Sequence, residues 1–273
     1  DRVAHRKGGD VQGSGVGRGL RRWRLSRASR ERRLMVPLKP TVLIGSVASL
    51  GPGGPPSGIA KRPIVGQWQI AREGLVGDAQ GDRRHHGGPE KAIHQYPFEH
   101  YAAWSAEIGA HPVLTAPGAF GENLSATGWT EENVCVGDIA RFGNALLQVA
   151  QGRQPCFKLN LRFGRKGMAR DVQRTGRTGW YWRVLEEGTA DEGDTLTIVE
   201  RPRPEWPISR LVRLLYRDTR KQDELVLMAN LTELAEGWRA LARRRLESGL
   251  VEDWTKRLDG PPPRATGHFA GDG

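Results

Sequence analysis

Cysteine is almost absent from this chain: two residues, Cys135 and Cys156, in 273. That scarcity excludes a disulfide framework and points to a reducing compartment, so the protein is expected in the cytoplasm. It also excludes a four-cysteine iron–sulfur cluster, and no Cys-x-x-Cys-His haem attachment occurs. Any redox chemistry here must therefore take electrons from a separate protein or a diffusible donor. Long apolar runs are missing too, which leaves neither a secretory signal nor a membrane-spanning segment to be read from the sequence. Classical zinc motifs are lacking as well: His85, His86 and His94 lie close together, but with no His-Glu-x-x-His and no cysteine pair beside them.

Positive charge is abundant, with a net +11, yet unevenly placed. Residues 1–34 hold eleven Lys and Arg against Asp1, Asp10 and Glu31, a net +8 that leaves +3 for the rest. This Gly-, Arg- and Ser-rich stretch has no apolar periodicity with which to offset the entropy of ordering, so residues 1–36 are expected to be disordered. A basic tail of this kind is a polyanion binder in one reading, an organelle transit segment in another. The reading favoured here takes Met35 as the natural start, with nucleic acid not expected as a partner.

From Val42 the texture is that of a strand-rich folded protein. Strands are expected at Val42 to Ala48, Gln67 to Ala71, Ile139 to Phe142, Ala145 to Ala150 and Thr195 to Val199, punctuated by Gly137-Asp138, Gly143-Asn144 and Gly193-Asp194. Many short strands with frequent turns predict a closed or nearly closed β-barrel, not a doubly wound sheet. Pro97 to Ile108 predicts a helix with Phe98, Tyr101, Ser105 and Ile108 on one face, and Met168 to Arg174 a shorter one. After the Pro-rich break at Arg201 to Pro207, Ile208 to Tyr216, Asp223 to Asn230 and Leu231 to Leu246 predict three short amphipathic helices. The expected organisation is mainly β with α (α+β): a barrel domain over 37–202, a small three-helix domain over 203–258, and a disordered tail over 259–273.

Four polar constellations carry candidate chemistry. Cys156 stands in Arg153-Gln154-Pro155-Cys156-Phe157-Lys158-Leu159-Asn160, where Arg153 and Lys158 favour a thiolate, the form that ligates metals and attacks electrophiles. The residues alone leave open whether it is such a thiolate or a small buried hydrophobe. In Gly81 to Tyr96, the backbone N–H groups of Gly87-Gly88 together with His86 and Lys91 suit an anion such as a phosphate or a pterin oxygen, or else form a solvated loop. Gly118 to Leu124 is a tight turn offering the carboxylate of Glu122 and the amide of Asn123. Thr175 to Arg183 interleaves Trp180, Tyr181 and Trp182 with arginines, either stacking on a flat heterocycle or packing half-buried. Cys135, between Val134 and Val136, is read as core.

The ordered series His86-Gly87-Gly88 with Lys91-Ala92, Gly118 to Leu124, Arg153-Gln154-Pro155-Cys156-x-Lys158-Leu159 and Gly176-Arg177-Thr178-Gly179-Trp180-Tyr181-x-Arg183-Val184 resembles the MOSC family, named for the C-terminal domain of molybdenum-cofactor sulfurases. The helical tail is similar to its YiiM branch, and the resemblance spans Lys39 to Leu258. It implies a MOSC-type β-barrel followed by a three-helix domain, and a molybdenum cofactor (molybdopterin) whose metal is ligated by Cys156. By motif position, His86, Lys91, Asn123, Arg153, Lys158 and Tyr181 would lie at that cofactor. Relatives reduce N-hydroxylated compounds, including hydroxylaminopurine base analogues and amidoximes, with electrons from partner flavoproteins. The implied activity is thus a molybdenum-dependent reductase with an external flavoprotein, and His86 or Tyr181 is the candidate proton donor. Two rival functions are a sulfur-transfer module carrying a Cys156 persulfide and a nucleic-acid binder acting through the basic N-terminus.

Overall fold

The computed structural model describes residues 35–81 and 87–261. Thirteen strands and seven α-helices follow one another among these residues. In chain order they are β1 (Thr41–Ile44), β2 (Ala48–Ser49), β3 (Pro56–Ser57), β4 (Arg62–Pro63), β5 (Gln67–Ala71), β6 (Gly74–Leu75) and β7 (Ile93–Pro97). Next come α1 (His100–Ile108), β8 (Leu124–Ala126), β9 (Ile139–Phe142), β10 (Ala145–Gly152), α2 (Lys158–Arg162), α3 (Met168–Thr175), β11 (Trp180–Glu186), β12 (Gly188–Asp191) and β13 (Leu196–Glu200). The chain then turns helical, with α4 (Ile208–Tyr216), α5 (Gln222–Ala229), α6 (Glu236–Ser248) and α7 (Thr255–Asp259).

Eight strands form one sheet in the order β13-β9-β10-β11-β7-β8-β1-β4, antiparallel throughout except for the parallel β7–β8 pair. The sheet curls until one bridge, Leu38 with Leu196, ties β13 to the chain just ahead of β1 through hydrogen bonds of 2.9 and 2.7 Å. The fold is therefore α+β with a barrel-like sheet, as the strand pattern predicts. Gly143-Asn144 makes the two-residue hairpin between β9 and β10, with Gly143 at φ +58 as such turns require. In β5 the side chains alternate, Trp68 and Ile70 inward and Gln67 and Gln69 outward. In β7 all five residues are buried, because helices cover what a two-layer sheet would leave in water.

One continuous apolar core contains Leu147, Val149 and Trp182 of the sheet together with Ile208, Leu211, Trp238 and Leu241 of the C-terminal helices. A second core joins Tyr96, Tyr101, Trp104 and Phe120 to Leu159, Met168 and Val172 of α2 and α3 and Leu258 of α7. Several elements begin and end where the sequence places them, and α4 matches residue for residue. Three differ. Pro97 stays in strand pairing opposite Ala126, so α1 starts at His100 and buries Tyr101 and Trp104, leaving Phe98 37% exposed. Leu231 to Ala235 forms a turn ahead of α6. Thr255–Asp259, absent from the expected elements, forms α7. No helix among the described residues is long and apolar enough to cross a membrane. The expected disorder of residues 1–36 and of the tail over 259–273 falls almost wholly outside the described residues, but Asp259 is ordered as the last residue of α7.

Candidate functional site

A solvent-open cleft of about 570 Å³ is lined by Lys91, Asn123, Arg153, Cys156, Lys158 and Tyr181, six of the seven residues singled out in the sequence. The seventh, His86, lies outside the described residues. The cysteine arrives on a short loop between β10 and α2. Arg153 N donates to Gly179 O at 3.0 Å, which holds the loop's first residue beside β11. The far side is held from the C-terminus: Arg257 donates through Nε to Pro155 O and through Nη2 to Gln154 O, both at 3.1 Å. Phe157 N returns a bond to Arg257 O at 2.8 Å, and Asn160 Nδ2 donates to Leu258 O at 2.7 Å. Cys156 is thus 6% exposed, set in the cleft wall on a loop braced at both ends. Cys135, by contrast, is core as its apolar neighbours predict: burial pushes its thiol up to about 11, and its Sγ lies 3.5 Å from Pro204 O.

Cations dominate the cleft. Arg153 is 6% exposed, and its Nη1 has no hydrogen-bond partner among the described residues. A buried guanidinium nitrogen left unmatched is costly, and a ligand anion at the cleft would satisfy it. Lys158 reaches across to Pro56 O at 3.2 Å. Tyr181 is held protonated, because burial pushes its hydroxyl up against the opposing charge and hydrogen bond of Arg153. On the same strand Trp180 and Trp182 point the other way into the core, so the aromatic cluster divides into packing and one cleft-facing phenol.

The Gly118–Leu124 turn works differently from its sequence appearance. Glu122 is wholly buried and offers nothing outward: it accepts from Gly118 N at 2.7 Å, Phe120 N at 3.0 Å and the Tyr101 hydroxyl. Its carboxylate ties the turn to α1. Gly118 adopts φ +105, and a Cβ there would lie 2.7 Å from Lys61 O. That close approach brings Lys61 to the cleft. Asn123 is likewise committed to the protein. Its Oδ1 accepts from His94 N at 3.1 Å, while Nδ2 donates to Leu43 O at 3.2 Å and Asp78 Oδ2 at 2.9 Å.

Two cleft neighbours, Lys61 and Asp78, carry no signal in the sequence, and a third, His94, enters it only in the histidine group that lacks a zinc motif. Lys61 forms a buried ion pair with Asp78, which also accepts Gly45 N at 2.8 Å. Burial lowers the Lys61 pKa while Asp78 raises it. The segments that supply these two residues are turn-like, and nothing local marks either as part of a site. His94 sits in β7 with its ring 5.0 Å from that of Tyr181. Burial first, then the charge of Arg153, lower it from 6.5 to about 3. At neutral pH it is an uncharged imidazole and adds no further cation.

Among the described residues no group of three or more His, Cys, Asp or Glu side chains is placed to hold a metal ion. Cys156 therefore suits a metal that arrives with its other ligands already attached, and the soft thiolate fits one bound by sulfur. Arg153, its Nη1 unmatched among the described residues, fits with Lys91 and Lys158 the anionic groups of such a cofactor.

The family model for the MOSC domain matches residues 82–197, and that for the YiiM-like, 3-alpha helix domain matches residues 206–249. Protein YiiM of Escherichia coli (strain K12) is 37% identical over 209 residues, 77% of this chain and 93% of that protein. The crystal structure of YiiM from Escherichia coli aligns with a TM-score of 0.70 at 30% identity, covering 81% of this chain and 98% of that one. YflK of Bacillus subtilis (strain 168) is 44% identical over 184 residues, 67% of this chain and 82% of that protein. A protein named Reductase from Gibberella moniliformis (strain M3125 / FGSC 7600) is 40% identical over 195 residues, 70% of this chain and 34% of its own length. With its barrel-like sheet, cysteine cleft and three following helices, this chain belongs to the MOSC domain family, in the YiiM-like branch.

Proposed function

We propose that this protein binds a molybdenum cofactor in the cysteine cleft and reduces N-hydroxylated compounds, with an external flavoprotein supplying electrons. The observation that carries the reading is a thiol set in a cleft wall among Lys91, Arg153 and Lys158, with Arg153 Nη1 buried and unmatched among the described residues. The cofactor would supply a metal able to exchange two electrons with the substrate. The chain's own residues do the rest. Cys156 supplies the protein ligand to the metal. Arg153, Lys91 and Lys158 hold the anionic part of the cofactor, and the Lys61–Asp78–Asn123 network keeps the opposite wall in place. Reduction of R–NHOH to R–NH2 breaks the N–O bond, consumes two electrons and two protons, and releases water. Tyr181, protonated and lining the cleft, or His86 would hand a proton to the departing oxygen. The fungal relative named Reductase is consistent with this class of chemistry.

Metal analysis tests the reading. Protein made in a cofactor-competent host is expected to carry about one molybdenum per chain, and Cys156→Ser to lose most of it, while Cys135→Ser keeps it. Wild type without molybdenum, or Cys156→Ser with a full complement, overturns the proposal. Cyanide treatment that liberates thiocyanate from metal-free wild type would instead make Cys156 a sulfur carrier.

A further inference from the structure

A second groove, of about 1020 Å³, shares no lining residue with the cysteine cleft. One wall belongs to the MOSC match over 82–197 and presents Gln173, Thr175 and Arg177. The other belongs to the YiiM-like helices over 206–249 and presents Ser209, Arg213 and Arg217. Small ligands settle preferentially where two domains meet.

The acidic side chains of this groove are matched within the fold. Glu131 is buried, with Oε2 at 2.7 Å from His100 Nε2 and Oε1 accepting from Gly179 N at 2.6 Å. Glu132 Oε2 accepts from the Ser209 hydroxyl at 2.9 Å. Both oxygens of Glu131 and one of Glu132 are thus spent.

The cations are matched far less well. Arg177 donates through Nη2 to Glu107, and its Nη1 is buried with no partner among the described residues. Among the described residues, the guanidinium of Arg213 meets only Asp218, with Nε at 3.3 Å from Oδ2. That of Arg217 meets only Arg174 O, to which Nη2 donates at 2.6 Å. Arg210 of the same helix makes the contrast. Its Nε and Nη2 donate to Glu224 at 2.9 and 3.0 Å, and its Nη1 donates to Glu205 O at 2.7 Å.

The spacing of the two open guanidiniums selects the ligand. Arg217 N donates to Arg213 O at 2.8 Å, the helical bond that sets the two residues one turn apart on one face. Like charges so placed repel, and an anion between them removes the repulsion. Each guanidinium keeps two nitrogens, so the pair offers more donors than the two oxygens of one carboxylate engage. A phosphate group brings more oxygens and more negative charge, which suits paired guanidinium forks.

We propose that this groove is an anion site that takes a phosphate group, free or as a small ester, between Arg213 and Arg217, with Arg177 as a third cation. The site goes beyond the reductase reading and does not rest on it, because it needs neither Cys156 nor a metal.

The test is calorimetric titration of molybdenum-free protein with inorganic phosphate and, separately, with glucose 6-phosphate, at fixed ionic strength. Saturable binding is expected, with hydrogen exchange slowed at the amides of residues 175–177 and 213–217. Arg213→Gln and Arg217→Gln are each expected to weaken binding about tenfold, and Arg213→Lys, which keeps the charge but loses the fork, about threefold. Arg141→Gln, which removes an exposed arginine of β9, is expected to leave it unchanged. These arginines are all exposed, so the variants are expected to melt with the wild type. Whichever ligand binds more tightly identifies the source as an ester or the free ion. Exchange slowed only in the cysteine loop, equal weakening by Arg141→Gln, or unchanged binding in Arg213→Gln and Arg217→Gln would each overturn the proposal. So would a protein that takes up an RNA oligonucleotide and neither phosphate ligand.

Discussion

Lowering the pH from 7 to 5 is expected to destabilise this protein by about 2 kcal/mol through one side chain, His94. This histidine is 3% exposed, and burial, aided by the charge of Arg153, holds its imidazole at about 3 against an ordinary 6.5. The unfolded chain keeps the ordinary value. Between about 3 and 6.5, therefore, the unfolded state binds a proton that the folded state refuses. The stability tied to neutral His94 is full above pH 6.5 and is lost as the pH falls toward 3. At pH 5 the unfolded imidazole lies about 1.5 pH units inside its protonated range. At about 1.36 kcal/mol per unit this gives about 2 kcal/mol, whereas at pH 6 the loss is below about 1 kcal/mol. Urea denaturation followed by tryptophan fluorescence at pH 5, 6 and 7 measures the curve. His94→Gln, which keeps a polar side chain but cannot titrate, is the comparison. The wild type is expected to lose stability with that curvature and the variant to stay nearly level. Equal losses in both proteins, or a flat wild-type profile, would refute the assignment of a buried neutral imidazole beside Arg153.

Two further outcomes follow from the loop that carries Cys156. Arg257→Met removes two charge-assisted bonds of 3.1 Å to the carbonyls of Gln154 and Pro155, and is expected to cost about 2 kcal/mol. In calorimetry that is a fall of about 4–8 °C, with faster hydrogen exchange at the Phe157 amide; an unchanged melting temperature would show that the clamp does not hold the loop. Gly179→Ala would place a Cβ 2.3 Å from Gln95 O at a φ of +67, so a loss of at least about 3 kcal/mol is expected. Wild-type solubility and melting of that variant would show that β7 and β11 can separate at no cost.

Periodicity in the sequence locates the elements whose two faces differ. β5 alternates Trp68 and Ile70 with glutamines, and α4 carries Ile208, Leu211, Val212 and Leu215 at helical spacing, so both are found where expected. β7 is not, because Ile93-His94-Gln95-Tyr96-Pro97 is buried on both faces and shows no alternation. Its His and Gln read as loop residues, although Asn123 accepts from the His94 backbone N–H, Trp182 donates to Gln95 Oε1 and β11 pairs with the strand. The site shows the same division. Motif residues Lys91, Arg153, Cys156, Lys158 and Tyr181 converge on one cleft, and so does Asn123, although its amide is turned into the scaffold. Glu122 in the same turn is fully buried. Which carboxylate faces a ligand depends on where Tyr101 of α1 lands, a contact 21 residues away in sequence that no local pattern encodes.

The cysteine loop draws on the whole length of the folded chain. Lys61 and Asp78 form one wall, the ends of β10 and β11 present Arg153 and Tyr181, and α7 clamps the residues before Cys156 from the far terminus. A loop of five residues tied only to its own strand would sample many orientations of the thiol, since each unfixed residue retains about 1–2 kcal/mol of conformational entropy. Fixing Gln154 and Pro155 from outside removes that freedom, so the sulfur is held in the cleft wall before any ligand arrives. Arg257 thereby fixes the geometry at the thiol, and a change at α7 is expected to disturb the cleft even though α7 itself does not line it.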